Sequence, residues 1–206
     1  MNNVVELEKT DIVQQRPFTN PGHTSRERAL MCQMVDRLRS VVAPPDLHVD
    51  APNPLVLLEQ EPDGRPHRVV VTAPERLADL VPLTVVGFFG QKRSGVDLTA
   101  LDAADEMLIA DFPRHPDVLS YSSLELGDGD CGNLVLLARP EAKSQWSRWE
   151  AHARAVREIA PQVYRSVRLY NGELPNGIAA SDALRLTCVK YYDYRCSPFW
   201  RGVRWI

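Results

Sequence analysis

Leu83-Thr84-Val85-Val86-Gly87-Phe88-Phe89-Gly90 is a nearly continuous apolar run. Such a run is expected of a central strand covered on at least one face. Downstream, Leu101, Ala104, Leu108 and Phe112 recur at helical spacing and stop at Pro113, where proline ends the helix. Residues 118–126 (VLSYSSLEL) alternate in part, like a strand with one wet face. Gly127-Asp128-Gly129-Asp130 reads as a turn and residues 134–138 (LVLLA) as the returning strand. Pro140 opens a second helix whose stripe is Trp146, Trp149, Ala153, Val156, Ala160 and Val163. Asn171-Gly172 and Pro175-Asn176-Gly177 then break the chain, and residues 184–192 form the last strand.

That order, β, α, β, β, α, β, predicts an α+β domain of the ferredoxin-like kind over residues 82–194. Its four antiparallel strands would carry both helices on one face. Residues 1–81 read as an N-terminal extension. An arm with Pro17, Pro21 and Gly22 leads to Thr24 and Glu27, spaced as a capping box. Met31, Met34, Val35, Leu38, Val41 and Val42 then keep a helical period until Pro44-Pro45. After a loop marked by Pro52 and Pro54, residues 55–61 and 67–72 are β-rich runs joined by Glu-Pro-Asp-Gly-Arg-Pro, a hairpin signal. Pro74 to Leu80 reads as a short helix, and residues 195–206 as an aromatic and basic tail.

The chain has 206 residues, is 44% hydrophobic and 25% charged, and carries a net charge of −3. This is ordinary globular composition with no overall basic field for nucleic acid or anionic membrane. No apolar run approaches the roughly 20 residues of a membrane helix. The acidic, polar start lacks the features of a signal peptide, so the cytoplasm is the expected address. Cys32, Cys131, Cys188 and Cys196 show neither CxxC spacing nor nearby His, so neither zinc nor a disulfide framework is expected.

Two passages resemble the dimeric α+β barrel superfamily, especially its antibiotic-biosynthesis monooxygenase type. His115-Pro116-Asp117-Val118-Leu119-Ser120-Tyr121 looks like the family's entry into the second strand. Trp146 followed by Glu150-Ala151-His152 looks like a segment of its second helix. The resemblance covers about residues 83–194. It implies a sheet whose free face pairs between protomers, or within one fused chain, into a barrel around a pocket. It also implies monooxygenase-like oxidoreduction of a hydrophobic small molecule, cofactor-free or haem-dependent, with cyclase, dehydratase, lyase or plain binding roles as alternatives. Haem-degrading members place their axial His where this chain has Val156.

Spacing also selects candidate site residues. His152 shares a helical face with Trp149, Val156 and Ile159; its imidazole is either a haem ligand, a general base, or a half-buried ring bonded to the backbone. Tyr121, Ser123 and Glu125 share one strand face, suited to proton transfer or simply wet. In a barrel, Phe88 or Phe89 would wall the pocket while Gln91 or Arg93 orients a polar group; the alternative is a core strand with a basic exit. His115 reads as a turn residue, and His23, His48 and His67 as solvated. Arg148, Arg154, Arg157, Arg165 and Arg168 suit either an anionic substrate or a solvated helix face.

Overall fold

A computed structural model describes residues 4–44 and 53–206. The reading of Pro52 as a loop and of His48 as solvated lies outside the described residues. The elements are β1 (Val4–Leu7), α1 (Gly22–Val42), β2 (Leu55–Gln60), β3 (Pro66–Val71), α2 (Pro74–Ala78) and β4 (Leu83–Lys92). They continue with α3 (Thr99–Asp111), β5 (Val118–Glu125), β6 (Cys131–Leu137), α4 (Pro140–Arg148) and α5 (Glu150–Arg154). A π-helical turn (Ala155–Ile159) leads to α6 (Ala160–Val163), β7 (Tyr164–Leu174), β8 (Arg185–Asp193) and β9 (Trp200–Trp205).

Among the described residues, nine strands form one open sheet in the order β1-β9-β8-β7-β4-β6-β5-β3-β2. Only β1 and β9 run parallel; the other neighbours are antiparallel. The expected small ferredoxin-like βαββαβ domain is therefore corrected to a large mixed sheet. The β2–β3 hairpin extends it from β5, and β8, β9 and β1 extend it beyond β7.

Two local features misled the strand count. Residues 164–174 form an 11-residue strand, although Asn171-Gly172 looks like a break. Gly172 sits at a register shift against β8, and a Cβ there would collide with the Arg185 carbonyl. Its glycine marks close backbone approach within a strand. The tail Trp200–Trp205 pairs with β8 and lies beside β1.

Both faces of the sheet are covered, because side chains alternate along each strand. On one face Leu83, Val85 and Phe89 of β4 join Met31, Met34, Val35 and Leu38 of α1 in a single core. On the other, Val86, Tyr121 and Val135 pack with Phe112, Trp146 and Trp149. Phe88 lies on this second side with Tyr164 and Val167. The face expected to stay open for a barrel is thus filled by α1 of the same chain. The approach is close: a Cβ on Gly87 would clash with Met31 Sδ, and one on Gly132 would come within 2.8 Å of Phe89 Cε1.

Glu27 does not close a capping box. α1 begins at Gly22, whose amide donates to Asn20 Oδ1 at 2.8 Å. The Glu27 carboxylate instead receives Arg168 Nε at 2.8 and 3.0 Å, and the two residues are 3% and 6% exposed. A buried ion pair contributes little net stability against an apolar pair, but removing one partner strands a charge. Glu27→Ala should therefore cost about 3–5 kcal/mol, read as a lower urea midpoint at constant slope. A loss below about 1 kcal/mol would contradict this placement.

Candidate functional site

Helices α3 to α6 stand off the second face and leave room beneath them. One cavity of ≈ 540 Å³ is walled by Val86, Phe88, Leu108, Val135, Trp146 and Leu169, with Tyr192 and Tyr194 at one side. An adjoining cavity of ≈ 580 Å³, with more charged residues in its lining, reaches toward β2 and β3 past Arg68, Asp102, Ser123 and Glu125. Leu101, Asp105, Tyr121, Asn133 and Tyr164 line both, forming the junction.

The helix expected from Pro140 to Val163 breaks at Trp149, which has ψ 128°, and its amide returns to the Gln145 and Trp146 carbonyls. The break lets α5 restart at a new angle, and the π-helical turn adds a further offset; such turns occur often at functional sites. Val156 falls off the expected stripe and is exposed, yet lines the apolar cavity.

His152 lines the apolar cavity with its ring centroid 5.0 Å from that of Trp146. Its Nδ1 is shut off from solvent and has no partner among the described residues. Burial lowers its pKa to about 4, so the imidazole is neutral near pH 7. Asn133 Oδ1, at the junction, is likewise buried without a partner among the described residues. Two orphaned acceptor-capable atoms beside one cavity are unusual, since buried polar groups are nearly always satisfied.

Tyr121 is buried, and its hydroxyl donates to Asp105 Oδ1 at 2.9 Å. Arg68 bonds the same carboxylate and lies over the Tyr121 ring. Burial, then the Asp105 charge, push the Tyr121 hydroxyl pKa well up, so Tyr121 stays a neutral donor. Across the junction the Tyr164 hydroxyl lies 3.3 Å from Cys131 Sγ, and burial raises both pKa values.

The other expected site residues scatter. Glu125 is exposed and lines the adjoining cavity. Trp149 is buried in the aromatic cluster, its indole N–H on Asp111 and its ring 3.6 Å from that of His115. Arg93 donates to the Tyr194 carbonyl at 2.8 Å and the Pro161 carbonyl at 3.2 Å, tying β4 to α6 and the end of β8. Phe89 and Gln91 face α1's side of the sheet: Phe89 is in that core, and Gln91 accepts from Ser166 Oγ at 2.7 Å. A period-2 strand cannot send Phe88 and Phe89 to one side.

Sequence reasoning missed Asp105, Asn133 and Tyr164 at the junction, and Lys143 and Lys190 in the lining of the apolar cavity, since none sits in a motif. It also placed His67 in solvent, whereas that ring is buried with Nδ1 2.7 Å from Glu61 Oε1. Among the described residues, no cluster of three or more His, Cys, Asp or Glu is placed to hold a metal ion. No helix among them is long and apolar enough to cross a membrane.

The depressed pKa of His152 links stability to pH. The unfolded ring titrates near 6.5 and the folded ring near 4, so between those values the unfolded chain binds more protons. The contribution is fully present above pH 6.5 and is lost as pH falls toward 4, with a limiting slope of about 1.4 kcal/mol per pH unit. Urea denaturation of His152→Leu should show a shallower fall over that window. Identical slopes for the two proteins would contradict a buried neutral imidazole.

No family model matches the chain, and no curated protein matches it. A solved structure, that of protein SO0527 from Shewanella oneidensis, is similar at 19% identity with a TM-score of 0.38, over 47% of this chain and 95% of that one. A likeness that loose decides neither fold nor activity.

Proposed function

We propose that the chain is a small-molecule enzyme whose substrate is largely apolar and carries a hydrogen-bond donor. The substrate sits between the sheet's second face and α3 to α6. The observation that carries this reading is the pairing of an apolar cavity with two buried, unpartnered acceptor-capable atoms, His152 Nδ1 and Asn133 Oδ1. A ligand donor would satisfy a group that otherwise costs about 1–3 kcal/mol to leave bare.

In this reading Val86, Leu108, Val135 and Trp146 bind the apolar body and exclude water. Neutral His152 accepts the donor's hydrogen bond and orients it; with its pKa at about 4 it takes a proton only from a strongly acidic donor. The Tyr121 proton is committed to Asp105, so its ring walls the junction and only its hydroxyl oxygen can accept there. Orienting a substrate donor in a water-poor pocket is a requirement shared by cofactor-free oxygenation and by non-oxidative elimination. His152 thus keeps its assignment as the group that meets the substrate, Tyr121 becomes a wall of the junction, and Arg93 becomes a positioning residue through its two carbonyl contacts.

The unpartnered Nδ1 favours a second reading, in which the same imidazole holds haem. The residues fit that group in donor type: one neutral buried imidazole, apolar walls, and Lys143, Arg157 and Lys190 for its carboxylates. Bound haem would supply redox chemistry. The chain would supply a ligating imidazole nitrogen from His152 and apolar surroundings.

Calorimetry with 2-naphthol, an apolar ring bearing one donor, tests the first reading. Binding should weaken roughly tenfold in His152→Leu, the worth of one buried hydrogen bond. Equal affinity in the two proteins would reject His152 as acceptor. Haemin titration tests the second: a Soret band is expected that His152→Ala removes, and no band in the unaltered protein rejects it.

A further inference from the structure

The walls of the apolar cavity are grease, but its lining also includes exposed cationic side chains. Lys143 comes from α4, Arg157 from the π-helical turn and Lys190 from β8, and all three line the cavity while remaining exposed. Three separate elements therefore each bring a cation to the lining of one cavity. None of the three makes an ion pair among the described residues. Neighbouring Arg154, outside the cavity, pairs with Glu158 at 3.2 Å, so acids are within reach of this helix face without neutralising Arg157.

Among the described residues, the only carboxylate lining this cavity is Asp105, and it is already occupied by Tyr121 and Arg68. The solvent-exposed part of the lining thus carries three positive charges without an ion-pair partner among the described residues, over an apolar interior. A low-dielectric wall strengthens the field such charges cast into a cleft. Lysine and arginine on flexible stems can close on an anion there while their methylenes cover the apolar walls.

We propose that the ligand of this cavity is an organic anion: an apolar ring or chain with a carboxylate, or an oxyanion of like chemistry, at the end nearest solvent. The apolar body enters first, its donor reaches the His152–Asn133 region, and the anionic end is met by Lys143, Arg157 and Lys190. This rests on the proposed function, because it needs the cavity to bind a small molecule at all. It adds the charge and the orientation of that molecule.

The experiment compares 2-naphthol with 6-hydroxy-2-naphthoate by calorimetry at low and high salt. Both carry the same ring and hydroxyl, and only the second has a carboxylate at the far end. The naphthoate should bind about tenfold more tightly at low salt, and the advantage should shrink at high salt as screening sets in. In Lys143→Gln/Lys190→Gln, which keeps part of each methylene stem and removes the charges, the ratio of naphthoate to 2-naphthol affinity measured in the same variant should fall severalfold. Both lysines are exposed, so the fold is not at stake. Equal affinity for the two probes would overturn the anion assignment and leave the proposed function standing. An advantage that survives in the double variant would also overturn it. If neither probe binds, the proposed function falls and this inference with it.

Discussion

The seating of α1 on one face of the sheet is the constraint on which the remaining architecture depends. Met31 and Met34 lie over Gly87 and Gly132, where no side chain of the sheet could fit between them. Glu27 reaches through the same layer to Arg168 on β7. Apolar burial supplies the attraction, and the ion pair fixes where along the sheet the helix sits. With that face covered by α1, the two cavities described lie on the opposite face.

There the packing is looser. Trp149 ends α4 early, α5 restarts at a new angle, and the π-helical turn displaces α6. A straight helix with the stripe Trp146 to Val163 would have lain flat on Val86, Val135 and Leu169 and left no room. The interruption keeps Trp146 buried while the chain beyond it bridges over the sheet. The cavity is therefore a product of imperfect helix continuity above a regular floor. Its polar atoms, Asn133 from β6 and His152 from α5, approach from opposite sides and find no partner among the described residues.

Much of the local structure was legible in the sequence. The Pro-Asp-Gly turn between β2 and β3, the apolar β4 and the proline-bounded α3 all have short-range signatures. The global architecture was not. Four strands bounded by two helices read as a closed unit, because Asn171-Gly172 imitates a break. The sheet actually continues through β7 into β8, β9 and β1. Thr24 and Glu27 match a capping pattern by spacing alone. Arg168, 141 residues away from Glu27, decides that carboxylate's partner, and no local reading reaches that far. The site was half legible for the same reason. His152 and Tyr121 stand out beside aromatic neighbours, whereas Asp105 and Asn133 matter only because the fold brings them to one junction.

The central physical claim is that small molecules enter on the side of Val86 and Val135, and that the side of Val85 and Leu136 is sealed by α1. Methyl NMR spectra recorded with and without 6-hydroxy-2-naphthoate address it directly. The account predicts ligand-induced shifts at the methyls of Val86, Val135 and Leu169, with Val85, Leu134 and Leu136 unmoved. Shifts concentrated at Val85, Leu134 and Leu136, or the absence of shifts from both sets, would contradict it.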